Sequence, residues 1–394
     1  MKKLCVLENK GLSTLELESR EHERIEDIRG AYYRDTTAII HSSPFRRLKH
    51  KTQVFFAPAN DHICTRMEHS LHVASIAATI CRPFKLDTEL AWAIGLGHDL
   101  GHTPFGHVGE RILNEKSKEF GYGGFEHEVN SLKVVTKLAS NGRGLNLTYA
   151  VRDGIVSHCG ETFNERILPT FKVKNLDEIT TRKGLIPATW EATAVRFADS
   201  IAYLGRDYED ASRLGLLEDH PLPDEISSVI GHTNAEIINT LVLDLIENTD
   251  PEKGMGFSEK TFEAIKLMKD FNYEFIYRSE ILDSYTMYFK RLINFIIDYL
   301  LYIFTSYGFD KSGYDKEKNM VSAGFYSHLV ETRHLYAKDG DEIDIKRMIL
   351  DYVAGMTDNF CSDCGREILS PDHLNDSIEI SQMGRWFDKS KVTF

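Results

Sequence analysis

Apolar residues recur at spacings of three and four along most of the chain, and each segment with that period predicts a helix. These segments run Glu68–Cys81, Thr88–Asp99, Gly109–Lys118, Glu126–Leu138, Ala188–Ser212, Ala235–Glu247, Glu259–Asp270 and Leu282–Thr305. The ten prolines fall mostly between them, where a missing N–H breaks no helical ladder. Alternation with period two is scarce. Phe171-Lys172-Val173-Lys174 is the best strand candidate and predicts at most a short β-hairpin arm. Gly, Asn and Pro gather in Asn141-Gly142-Arg143-Gly144 and across Thr249–Gly256, which read as loops too short to link domains. The expectation is an all-α protein forming a single domain over residues 1–394. Its motif-bearing core lies at about 33–215, and a helical C-terminal extension covers about 216–394.

The greasiest stretch, Leu292 to Phe304, is interrupted by Asn294 and Asp298 and falls short of the ~20 residues a bilayer needs, so it predicts a buried helix. The apolar run after Met1-Lys2-Lys3 is too short for a signal peptide. Six scattered cysteines do not make a disulfide scaffold and read as reduced thiols, so a cytoplasmic location is expected. Cys361-Ser362-Asp363-Cys364 has no second pair nearby and reads as two ordinary thiols rather than a zinc or redox motif. The 47 basic residues against 60 acidic ones leave a net charge of −13, which argues against wrapping a nucleic acid. A small anionic ligand stays possible if positive charge is gathered locally.

Histidine changes the picture. Nine of the sixteen fall between His41 and His127. Within that window lies His98-Asp99-Leu100-Gly101-His102-Thr103-Pro104-Phe105-Gly106-His107, a His-Asp pair at the end of an apolar helix followed by a Gly-broken turn. Neighbouring helical residues diverge by about 100°, so both side chains reach one ion only near the helix end. A mixed imidazole and carboxylate set suits a borderline divalent cation. The other ligand candidates are His69, which opens the Glu68–Cys81 helix, and Asp199. Asp199 is flanked by Phe197, Ala198, Ile201 and Ala202 and would be costly to bury uncompensated, and a cation is one sufficient compensation. His107 and Glu110, three apart at the start of a helix, share one face. There the carboxylate can fix the imidazole tautomer, as a general acid or base requires.

With these residues the chain resembles the HD-domain superfamily, and within it the deoxynucleoside triphosphate triphosphohydrolases. The likeness runs from about Tyr33 to about Phe360. It includes Ser43-Pro44-Phe45-Arg46-Arg47-Leu48, Lys51-Thr52-Gln53-Val54-Phe55, Arg66-Met67-Glu68-His69-Ser70-Leu71, the His98–Glu110 segment, Phe125-Glu126-His127-Glu128, Asp199–Asp207 and Asp351-Tyr352-Val353-Ala354-Gly355-Met356-Thr357-Asp358. The resemblance implies an HD-type helical core and metal ligands at His69, His98, Asp99 and Asp199. It also implies a catalytic His107 with Glu110, and a second active-site histidine at His127. Nucleotide contacts are implied at Arg47, Lys51, Gln53, Arg66 and His102, with Tyr203 and Asp207 meeting the deoxyribose. The implied cofactor is a divalent ion (Mn2+, Mg2+, Fe2+, Ni2+, Co2+ or Zn2+). The implied partners are a deoxynucleoside triphosphate, further copies of the chain in a tetramer or hexamer, and an allosteric nucleotide or single-stranded DNA, with no membrane.

The implied reaction is hydrolysis of dGTP or several dNTPs to deoxynucleoside and tripolyphosphate. Two other readings compete: an HD hydrolase of nucleoside monophosphates or cyclic nucleotides, and a nucleotide-sensing or single-strand-binding protein with a vestigial site. No G-x-x-x-x-G-K-[ST] occurs, so the P-loop route is absent. Two departures from the family pattern are a second arginine missing from Arg34-Asp35-Thr36-Thr37 and Thr103 in place of proline. Tyr277 and Arg278 are further candidates for phosphate contact.

Overall fold

The computed structural model describes residues 5–25, 27–56, 62–159, 165–338 and 342–369. Several of its long helices start where side chains satisfy the first orphan N–H groups. Thr65 and Glu68 form a reciprocal capping box, Asp87 accepts from the Glu89 and Leu90 amides, and Thr189 accepts from the Ala192 amide. The principal helices are α1 (Ala31–His41), α2 (Arg66–Cys81), α3 (Thr88–Gly97), α4 (Gly106–Glu119), α5 (His127–Lys133), α6 (Tyr149–Ser157), α7 (Trp190–Arg213), α8 (Asn234–Asn248), α9 (Glu259–Asn272), α10 (Glu280–Tyr307), α11 (Met320–Thr332), α12 (Ile345–Ala354) and α13 (Asp358–Leu369). A π turn, Val134–Leu138, continues α5.

The protein is all-α apart from one antiparallel pair among the described residues, β1 (Arg166–Ile167) and β2 (Met255–Gly256). The strand expected at Phe171–Lys174 is not there. Phe171 takes a left-handed φ of 52° and gives its N–H to Ala188, so the segment turns instead of pairing. The strands form five residues earlier, and one lies inside the predicted Thr249–Gly256 loop.

A first hydrophobic cluster is built from α1, α2, α3, α6 and α7, and the helices out to residue 277 join it. At its centre α2 and α3 meet backbone to backbone. A Cβ on Gly95 would stand 2.6 Å from the Ala74 Cα, so only glycine allows this approach. That contact sets the spacing between His69 and His98. A second cluster gathers around α10, where Ile293, Ile296, Ile297, Leu300 and Ile303 are fully buried at helical spacing. It packs α11, α12 and α13 against Ile112 and Leu113 of α4. The helix that carries His107 is therefore anchored from the C-terminal side. No helix among the described residues is long and apolar enough to cross a membrane. Cys361 and Cys364 are unpaired and buried in α13, with burial pushing the Cys364 thiol up to about 12 and Cys361 well above its ordinary value.

Candidate metal centre and active site

His69 stands one turn into α2, His98 caps the C-terminal end of α3, and Asp199 projects from the middle of α7. One donor atom from each lies within 4.8 Å of the others, with His69 and His98 buried and the Asp199 side chain 14% exposed. His69 Nε2 and Asp199 Oδ1 are 2.9 Å apart and share a hydrogen bond. His98 is the most informative. Its Nδ1 lies 2.7 Å from the Gly95 carbonyl, which can only accept, so Nδ1 carries the proton. Nε2 is then a lone pair, fully buried and without a hydrogen-bond partner. It faces Asp99 Oδ1 at 3.4 Å and Asp199 Oδ1 at 3.8 Å. A lone pair aimed at two carboxylates is repulsive unless a cation sits between them, so these residues fit a divalent metal. Burial would raise both carboxyls. The neighbouring His69 and His98 nevertheless pull Asp199 down to about 2, and His102, His98 and Arg66 hold Asp99 well below the usual range.

The turn after His98 is pinned by α5. Gly101 N–H donates to Ser131 Oγ, Asn130 donates to the Gly101 carbonyl, and Ser131 Oγ donates to the His98 carbonyl. A Cβ at Gly101 would fall 2.1 Å from the Ser131 nitrogen. His102 turns back onto Asp99, with Nε2 3.0 Å from Oδ1, and its ring stacks on His127 at 3.8 Å. Its other nitrogen, Nδ1, is buried and unpartnered. Burial and the Arg66 charge keep this imidazole well below its ordinary pKa.

His107 and Glu110 open α4 as their spacing predicts, with Nδ1 3.3 Å from Oε2 and the His107 side chain 71% exposed. Glu110 is held from the other side by His127, whose Nδ1 lies 3.1 Å from both carboxylate oxygens. Burial alone would raise Glu110, but His127 and His107 bring it below the ordinary carboxylate range. Burial opposes charge on His127, yet Glu128 and Glu110 raise it to about 9.

The expected nucleotide contacts divide. Arg66 is buried and donates to Asp99 Oδ2 at 2.8 Å, so its guanidinium lies directly against the metal-ligand candidates. Gln53 gives its backbone carbonyl to Arg66 at 3.4 Å, while its side-chain Oε1 is buried without a partner. Tyr203 and Asp207 follow Asp199 on one face of α7. Lys51 spends its ammonium on the carbonyls of His102 and, at 3.0 Å, Ala354, which braces the turn to the end of α12. Arg47 lies near Tyr352 and Gly355 of the same region and is not brought to the metal-ligand candidates. Arg278 is exposed and stacks on Tyr273 at 4.7 Å. Tyr277 donates its hydroxyl to Asp207 Oδ2 at 2.5 Å, a carboxylate contact instead of the phosphate contact expected.

Several participants escaped the sequence. His158 caps α6, buries its ring 4.9 Å from His98 and 5.4 Å from His127, and is lowered to about 4 by burial and those histidines. Glu128 lies 3.4 Å from His127 and is itself paired with Arg182 at 2.8 Å. Lys269 of α9 holds its ammonium 5.5 Å above the Tyr203 ring. Of these, Glu128 had a signal in the sequence, its place beside His127. Asp358 also joins the site, from the Asp351–Asp358 segment already singled out. It accepts from the Thr52 amide at 2.9 Å and the Phe105 amide at 2.8 Å, and so holds Phe105 in the left-handed conformation that starts α4.

A family model described as "HD domain" matches residues 66–204, and one described as "Phosphohydrolase-associated domain" matches residues 328–367. Curated relatives bear the name deoxyguanosinetriphosphate triphosphohydrolase-like protein. The one from Caldanaerobacter subterraneus subsp. tengcongensis is 35% identical over 90% of this chain and 88% of its own. That from Clostridium tetani is 35% identical over 86% of this chain and 85% of its own. That from Rickettsia felis is 33% identical over 84% and 90%.

Proposed function

The chain belongs to the HD-domain hydrolase family, among the deoxyguanosinetriphosphate triphosphohydrolase-like proteins, and we propose that it hydrolyses deoxynucleoside triphosphates to a deoxynucleoside and tripolyphosphate. The observation that carries this reading is the unpartnered His98 Nε2 facing Asp99 and Asp199, with a polarised His107–Glu110 pair on the adjoining helix. His69, His98, Asp99 and Asp199 would hold the divalent ion. When bound, it supplies positive charge at the α-phosphate and polarises a phosphoryl oxygen.

The chain's own groups do the rest. Arg66, fixed by Asp99, presents a buried guanidinium to the phosphates, and the neutral His102 donates its Nε2–H to Asp99 and holds that carboxylate in place. Water forms a bond to the α-phosphorus as the bond from phosphorus to O5′ breaks. Glu110 at Nδ1 stabilises the His107 imidazolium, leaving Nε2–H to give its proton to O5′. Asp207, positioned by Tyr277, accepts from the 3′-hydroxyl, and the Tyr203 ring lies under the sugar where a 2′-hydroxyl would crowd it.

The test is product analysis of the four dNTPs in 18O-labelled water with Mn2+, Mg2+, Fe2+, Ni2+ or Co2+. The reading expects deoxynucleoside and tripolyphosphate in equal amounts, with the label in tripolyphosphate. Orthophosphate, pyrophosphate or a labelled nucleoside overturns it. His107→Gln should lower kcat about 10²- to 10⁴-fold, the usual contribution of a positioned general acid.

A further inference from the structure

Beyond His107 and Glu110 the wall of the site opens into a cavity of about 860 Å3. It is bounded by α4, α5 and its π turn, Arg152 of α6, α12 and the segment 176–182. Seven Lys and Arg side chains line it against five Asp and Glu, in a chain whose net charge is −13. Four of the five acids are already engaged. Glu21 pairs with Arg152, Glu110 with the two histidines, and Asp351 with Lys133. Glu126 accepts from the Arg182 amide at 2.6 Å and the Thr181 hydroxyl at 3.1 Å. Among the described residues no acid pairs with Arg111 or Lys118 on α4, with Lys137 after α5, or with Arg347 on α12. Arg347 stands 5.3 Å from the Tyr122 ring centre instead. Burial, then repulsion from Arg347 and Lys137, lowers the Lys133 ammonium in spite of its Asp351 partner. Cations gathered round one walled space repel each other until an anion enters.

We propose that this cavity binds a linear polyphosphate, with inorganic tripolyphosphate as its simplest ligand, next to the metal centre but separate from it. The unneutralised charges lie on three elements, so a chain of several anionic groups can engage them together where one phosphate cannot. Two sources share this chemistry: the tripolyphosphate released at His107, and the triphosphate tail of a second nucleotide. The first source rests on the proposed reaction, whereas the binding itself does not.

The experiment is isothermal titration of the full chain with sodium tripolyphosphate, after metal removal and in EDTA, so that the metal centre cannot bind the anion. The probe is repeated on the K137Q/R347Q double variant and on K346Q, which lies on the same helix but does not line the cavity. Loss of two cations is expected to weaken tripolyphosphate binding about tenfold or more, and K346Q to leave it unchanged. Orthophosphate is expected to bind at least about tenfold more weakly than tripolyphosphate. No binding by the parent chain, or equal affinity in parent and double variant, overturns the site. Should the double variant not fold, the exposed Lys137→Gln alone gives the same comparison. A non-hydrolysable dNTP analogue that competes with tripolyphosphate assigns the site to nucleotide tails as well, and one that does not assigns it to the inorganic product. Hydrolysis without tripolyphosphate binding sinks the cavity and spares the reaction. Binding without hydrolysis does the reverse.

Discussion

His98 shows how one side chain can point to a cation site. Its proton is fixed on Nδ1 by the Gly95 carbonyl, so the lone pair of the other nitrogen meets two carboxylates, an arrangement that a divalent cation stabilises. His98→Ala should lower metal affinity by at least about a hundredfold, read by metal analysis after dialysis; unchanged metal content would remove His98 from the ligand set. Adding Mn2+ to the stripped protein at a hundred times its Kd should stabilise it by about 2.7 kcal/mol, seen as a rise in Tm that EDTA reverses. Asp207 titrates in the opposite sense to Asp199. Burial raises it to about 7, with the Tyr277 hydrogen bond opposing. A raised carboxyl favours the folded state while protonated, so its contribution is whole below about pH 4 and is lost as pH rises through about 7. Thermal unfolding of Asp207→Asn should therefore gain on the parent more at pH 8 than at pH 5. A difference independent of pH would show that the carboxyl is not raised.

Among the helices, α2 and α3 carry the geometry because Gly95 lets their backbones touch at Ala74. Gly95→Ala forces them apart and should cost about 1–3 kcal/mol as an overpacked contact, measured by denaturant unfolding. Because His98 follows three residues later, the same variant should also bind metal more weakly. The pattern predicted α2 to α5 and α7 to α10. Others escaped it for a physical reason. In α6 only Arg152 is not buried, and α11 is apolar nearly all round, so neither shows the amphipathic stripe that periodicity detects. The Phe171–Lys174 strand failed because pairing needs a partner, and the partner of β1 lies nearly ninety residues away at Met255–Gly256.

For the molecule as a whole, the C-terminal helices do more than extend the core. Asp358 ties the start of α13 to Thr52 and to the left-handed Phe105 that launches α4, two residues before His107. Lys51 reaches across to Ala354 in the same junction. Asp358→Asn should lower kcat about tenfold, the lower end for an orienting partner, with KM little changed. An equal effect on KM would mean that the contact shapes binding instead of aiming His107.

The sequence by itself determined the helical class and the grouping of His69, His98, Asp99, Asp199, His107 and Glu110. These follow from local periodicity, from spacings of three and four, and from residue types costly to bury unless used. Only the tertiary structure decided which distant groups complete the site. His158, Arg182 and Lys269 arrive from separate segments, and no local pattern distinguishes them from core or surface residues. It also decided that Lys51 braces backbone carbonyls and that seven cations share one cavity in an acidic chain. Charge totals and spacings are properties of the chain. Which charges face each other is set by packing, where elements far apart in sequence are forced together.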